Sequence, residues 1–322
     1  MNRLFTFLAA VSLTAMTVTS SCLAHSVDNL RFTLQPRSAG TVQLSLFSGD
    51  EHRNHSMSSS FGPHELTGLN LAALQSSANT PVRFALVREA GRVDCSGNGS
   101  NFAASGRCTF TADPAFAQYL ASRGIPRLSR EEAYGLTIVG AQRSLVEAIR
   151  AANYQTPDID ELTALAALDV TPAYIKDLAG RGYRPKDLDD LVQFSALKIT
   201  PAYIDAMSRS GYRNLQANDI VQMKAVGVTP EYVAQLARTG YPNLSAEDIV
   251  QFKALDVSAD FISGFERLGY RGLDADMLVQ LKALDVTPEY VMELRRSGIA
   301  LPSADQLVKL RAIGFDPKSD GR

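Results

Sequence analysis

Two hydrophobic periods divide this chain. Up to about residue 113, apolar and polar side chains alternate. Leu30-Arg31-Phe32-Thr33-Leu34, Thr41-Val42-Gln43-Leu44-Ser45-Leu46 and Val82-Arg83-Phe84-Ala85-Leu86-Val87 send every second residue to one face, as half-buried strands do. Val93-Asp94-Cys95 and Cys108-Thr109-Phe110-Thr111 continue the pattern. Turns are expected at Ser48-Gly49-Asp50 and Ala90-Gly91, and one short helix near Glu65 to Leu74. The prediction is a small antiparallel β-rich domain over residues 25–112. From Asp113-Pro114 the spacing becomes helical, with one helix from Ala115 toward Gly124 and a second from Ser129 through Leu136. Residues 113–142 therefore read as a helical hinge.

Over residues 143–315 a block returns every 29 residues, marked by Val170-Thr171-Pro172, Ile199-Thr200-Pro201, Val228-Thr229-Pro230, Val257-Ser258-Ala259 and Val286-Thr287-Pro288. Gly182-Tyr183, Gly211-Tyr212, Gly240-Tyr241, Gly269-Tyr270 and Gly298-Ile299 keep step with it. Each unit reads as two short helices. Thr at the N-cap and Pro at the first helical position start one, and the glycine ends it in a left-handed conformation. Ser245 and Asp274, with acidic residues behind them, start the other. Tyr203, Ile204 and Met207 answer to Tyr232, Val233 and Leu236, so one face of each helix is apolar. Helices this short are marginal alone, so neighbouring units must bury those faces. Leu145-Val146 with Asn153-Tyr154 forms a degenerate first unit, and Phe315-Asp316-Pro317 closes the last. The expected fold is multi-domain α+β: a β-rich N-terminal domain, then an α-solenoid of about six 29-residue helical hairpins and a tail at 316–322.

The 322 residues are 45% hydrophobic with a formal charge of −2, enough for packed cores and without the basic footprint of a nucleic-acid binder. Arg3 followed by the apolar run Leu4 to Val18 and by Cys22-Leu23-Ala24 reads as a secretory signal peptide, residues 1–24. No later run approaches the roughly 20 apolar residues of a membrane span, so none is expected after signal removal. That removal takes Cys22 and leaves Cys95 and Cys108, which should form a disulfide in an oxidising compartment such as the periplasm. The flanking Gly, Ser and Asn residues read as a loop joining two strand ends. A competing reading lipidates Cys22, making the protein a lipid-anchored spacer.

The unit running from Val-Thr-Pro-Glu-Tyr-Val through Gly-Tyr to Leu-Ser-Ala-Glu-Asp-Ile-Val-Gln resembles helical repeats of bacterial extracytoplasmic proteins. These include the C-terminal tails of BlaR1-like metallopeptidase sensors and related anti-sigma and secreted proteins. Residues Thr80 to Phe116 look like the β module that accompanies them. The resemblance implies an accessory or sensor-like role in signalling and transfers no catalysis. Such peptidases carry His-Glu-x-x-His, whereas here His64-Glu65 is followed by Gly68 in place of the second histidine.

Candidate chemistry is sparse. His52, His55 and His64, near Asp50 and Glu51, are the residues that could ligate a metal, but their spacing matches no closed motif. No nucleophile and base stand together, and no cofactor is indicated. Arg209, Arg238, Arg267 and Arg296 recur two residues before each glycine, where a cation suits a helix C-terminus. A second ladder, Lys224, Lys253, Lys282 and Arg311, flanked by Gln222, Gln251, Gln280 and Lys309, reads as mid-helix with no capping duty. It is the candidate interaction stripe. The function expected is a non-enzymatic exported protein-interaction module of the cell envelope with envelope proteins as partners. The alternative is a small periplasmic hydrolase or metal-dependent enzyme with a recognition arm.

Overall fold

In the computed structural model the alternating segments become one antiparallel sheet. The structure describes residues 27 to 318 apart from 28, 38–40 and 49–54. The stretch 1–24 with Cys22, the turn at Gly49-Asp50, and Glu51 and His52 lie outside the described residues. The strands are β1 (Leu30–Pro36), β2 (Val42–Ser48), β3 (His55–Phe61), β4 (Leu66–Thr67), β5 (Thr80–Arg88), β6 (Gly91–Ser100) and β7 (Ala103–Ala112), in spatial order β3-β2-β1-β7-β6-β5-β4. Phe32, Leu44, Phe84, Val93 and Phe110 point to one face and form its core. Phe32 meets Phe84 edge-on with ring centroids 5.0 Å apart.

Cys95 stands directly opposite Cys108 in the β6–β7 register, and the two form the disulfide. The Gly/Ser/Asn stretch between them is strand rather than loop. Pairing continues through Gly97↔Gly106 to Ser100↔Ala103, and a two-residue turn at Asn101 and Phe102, both at positive φ, reverses the chain. Two facing glycines are required there, because a Cβ on either would strike the other strand's backbone. A Cβ on Gly106 would also lie 2.8 Å from the Phe32 ring. The short helix expected near Glu65 to Leu74 is not formed. That segment holds a tight turn at Pro63–Glu65, the two-residue β4 and another tight turn at Ala72–Gln75. Gly68, at φ 86, turns the chain away after β4.

Helices follow in pairs: α1 (Pro114–Ser122) and α2 (Arg130–Val139), α3 (Arg143–Ala151) and α4 (Ile159–Ala167), α5 (Pro172–Gly180) and α6 (Leu188–Ala196), α7 (Pro201–Arg209) and α8 (Ala217–Ala225). The remaining pairs are α9 (Pro230–Arg238) with α10 (Ala246–Ala254), α11 (Ala259–Arg267) with α12 (Ala275–Ala283), and α13 (Pro288–Arg296) with α14 (Ala304–Ala312). The expected caps are in place: Thr171, Thr200, Thr229 and Thr287 each accept the N–H three residues on, as do Ser245, Asp274 and Ser303. Gly182, Gly211, Gly240, Gly269 and Gly298 have φ between 78° and 104°.

The hinge assignment changes. By contacts the chain divides at Gly140/Ala141, so α1 and α2 belong with the sheet. Ala133 and Ile138 of α2 sit in the sheet's core, and Arg130 donates to the Phe110 carbonyl at 2.9 Å. The α1–α2 pair is also in phase with those that follow. Asp113-Pro114 precedes Thr171-Pro172 by two periods (171 − 113 = 58), and the N-cap Ser129 precedes the N-cap Asp158 by one (158 − 129 = 29). Buried Phe116 and Leu120 answer to Leu145 and Ile149. Seven helical pairs, rather than six, keep the 29-residue step.

From α3 onward a helix packs mainly on the one two further along, as in α3 on α5, α4 on α6, α8 on α10, α9 on α11 and α12 on α14. Columns of buried residues result, such as Ile175, Ile204, Val233, Ile262 and Val291. Two sets of tyrosine hydroxyls tie successive pairs. Tyr174, Tyr203, Tyr232 and Tyr290 donate to the carbonyls of Ile199, Val228, Val257 and Phe315, each 25 residues on. Tyr212, Tyr241 and Tyr270 donate to Leu244, Leu273 and Pro302, each 32 residues on. Phe261 occupies the first set's place in α11 and has no hydroxyl.

Removing one tie by Tyr232→Phe should lower unfolding free energy by about 1 kcal/mol, whereas Phe261→Tyr, which supplies the missing donor toward the Val286 carbonyl, should raise it; urea titration measures both. Replacing Cys95 and Cys108 together by Ala, which opens a 13-residue loop, should cost the sheet about 3 kcal/mol in the same assay.

Candidate interaction surfaces

The histidines do not assemble. His52 is outside the described residues, His55 opens β3, and His64 is exposed on the tight turn before β4. Among the described residues no group of three or more His, Cys, Asp or Glu could hold a metal ion. Glu65 beside His64 is fully engaged: one oxygen accepts from Arg88 at 2.7 Å and the other from the Gly62 N–H at 2.8 Å. Burial pushes its pKa up, but those two donors outweigh burial and hold the carboxyl below its ordinary value. No described helix is long and apolar enough to cross a membrane.

The arginine ladder lies where expected, with Arg209, Arg238, Arg267 and Arg296 in the last turns of α7, α9, α11 and α13. The second ladder has duties that spacing did not disclose. Lys224, Lys253 and Lys282 are in last turns rather than mid-helix, and all are half-buried. Their ammonium groups sit over the rings of Tyr203, Tyr232 and Phe261 at 4.4, 4.8 and 5.0 Å from the centroids. Arg311 covers Tyr290 at 5.1 Å, donates to the Leu284 carbonyl and pairs with Asp285 at 3.1 Å. Cation–π contacts of this kind contribute about 0.5–2 kcal/mol each. The cations of the expected stripe thus fasten the two helices of a pair, and charge reversal there would disturb packing as well as any docking.

What remains outward on the second helices is a different set. Asp189, Asn218, Glu247, Asp276 and Asp305 are exposed in the first turn. Four residues on come Gln193, Gln222, Gln280 and Lys309, all exposed, with Gln251 half-buried in the same row, and three further the exposed Ala196, Ala225, Ala254, Ala283 and Ala312. Offsets of four and seven place each trio on one helix face. The acids have a structural reason at a helix N-terminus. The glutamines have none; Gln251 reaches only Glu247 within its own helix, at 3.5 Å. The repeated Gln row flanking the ladder was visible in the sequence, whereas its exposure depends on packing.

Several of the tying tyrosines are strongly perturbed, as is Tyr134, which burial pushes up to about 12. Burial pushes Tyr174, Tyr203 and Tyr212 up to about 12 and Tyr232 higher still. The folded chain therefore keeps these phenols protonated where the unfolded chain ionises them. The tyrosines' contribution to stability should be constant below pH about 10 and decline as pH rises toward 12, with loss of the urea midpoint tracking phenolate absorbance. Tyr232→Phe should reduce that pH dependence.

The chain matches no protein-family model, no curated protein sequence and no solved structure.

Proposed function

We infer that this chain is an exported, non-catalytic interaction protein of the bacterial cell envelope, whose helical pairs stack as an α-solenoid and dock a partner protein along the outward faces of their second helices. The repeated exposed rows of acid, glutamine and alanine carry this reading. Small alanines and adaptable amides at a fixed 29-residue step suit a long partner surface better than a small molecule, and the amides serve no capping purpose. Lys224, Lys253 and Lys282 border this face and orient the helices that present it. The likeness of the unit to the tails of BlaR1-like sensors favours a sensor or accessory role, by analogy. Export is supported by the signal-like N-terminus and by the Cys95–Cys108 bridge, which suits an oxidising compartment.

The test joins location to contact. Osmotic shock should release a chain whose cysteines are oxidised; a cytoplasmic chain with free thiols overturns the export reading. A photo-crosslinking side chain placed at Gln222, Gln251 or Gln280 should trap one common envelope protein, while the same group at Arg238 should not. Gln251→Arg combined with Gln280→Arg should reduce trapping at Gln222 at least tenfold with an unchanged melting temperature. Equal trapping from Arg238, or none from the glutamine row, removes the face from consideration.

A further inference from the structure

The outward face of the sheet carries a second feature that the helices do not explain. Register places Phe47 beside Arg31, Arg31 directly beside Arg107, Arg107 beside Ser96, and Ser96 beside Arg83. Strands lie about 4.8 Å apart, so this single row crosses five strands and runs on the order of 19 Å. Like charges directly opposed, as Arg31 and Arg107 are, destabilise a sheet pair. Arg83 and Arg107 are exposed and make no side-chain hydrogen bond or ion pair among the described residues. Asp94 is the acid on the described strands of this face, and Arg92 engages it at 2.8 Å. Arg31 has a partner of its own, so the excess of positive charge in this row lies with Arg83 and Arg107, in a protein of net charge −2.

Its surroundings narrow the ligand. Two open clefts of about 480 and 530 Å³ flank the row on the same face, one lined by Arg31, Thr33, Phe47, Ser105 and Arg107, the other by Arg83, Ser96, Thr109 and the Arg92–Asp94 ion pair among others. Hydroxyl side chains beside arginines suit a partner that is itself rich in hydroxyls as well as anionic, and the half-buried Phe47 ring offers a flat apolar surface to a sugar ring. The cations are all arginine. The chain has no lysine before Lys176, and a guanidinium grips a carboxylate through two parallel N–H bonds where an ammonium acts as a point charge. We propose that this sheet face binds an acidic oligosaccharide, with Arg107 and Arg83 receiving successive carboxylates and Phe47 stacking on a sugar ring beside Arg31. The site is separate from the helical face and stands or falls without it.

Titration calorimetry of the whole chain with hexagalacturonic acid, uncharged maltohexaose and inorganic polyphosphate tests this. Binding of the uronate but not of maltohexaose is expected, weakened at least tenfold in the Arg83→Gln/Arg107→Gln double variant and by raised salt. Phe47→Ala should weaken uronate binding and leave polyphosphate unaffected. Both variants change exposed or half-buried side chains, and an unchanged thermal transition establishes that they fold. No uronate binding, equal binding of maltohexaose, equal or tighter binding of polyphosphate, or indifference to the double variant would each overturn the assignment.

Discussion

A nine-residue helix does not persist by itself in water, and every helix from α3 to α14 is nine residues long. Each must borrow its stability from the helix two places away. The columns of Ile, Val, Leu, Met and Phe supply the non-directional part of that support. The tyrosine hydroxyls supply direction: a carbonyl 25 or 32 residues on can be reached only if the next pair sits in one register. A ring that is half-buried, hydrogen-bonded at one end and covered by a lysine on one face, as in Tyr203 and Tyr232, leaves little room for an alternative packing. The pairs are thereby held to a common geometry, and the residues left outward recur as rows.

The helical half was legible in the sequence because its start and stop residues are chemically distinctive. Thr-Pro and Gly-Tyr announce their conformations. The ends of the second helices were hidden because their left-handed residues are mostly not glycine: Asp169, Lys198, Asp256 and Asp285 share positive φ with Gly227 and Gly314 at the same 29-residue step. The α1–α2 pair is legible as helices, but its phase with the later pairs is hidden for a similar reason, since Asp113-Pro114 and Gly124-Ile125 replace the Thr-Pro and Gly-Tyr of later units. The packing of the lysine ladder is not legible in the sequence, because a ring beneath an ammonium depends on tertiary packing, which a period alone does not reveal. In the sheet, the glycines of Gly97-Asn98-Gly99 and Gly106 suggested a loop, yet strand glycines are required wherever a neighbouring backbone or the Phe32 ring approaches too closely for a Cβ.

The surfaces differ in how they could be found. Exposure separates Gln193, Gln222 and Gln280 from the half-buried lysines beside them. The arginine row is invisible along the chain, since Arg31, Arg83 and Arg107 are far apart in sequence and meet only because β1 pairs with β7 and β6 lies between β7 and β5. Strand order, not local spacing, creates it.

Because α2 contributes Ala133 and Ile138 to the core beneath the sheet, the first helical pair is a structural member of the N-terminal unit while speaking the same local language as the rest. A lineage could therefore lengthen or shorten this protein by whole pairs after Gly140 without disturbing the sheet.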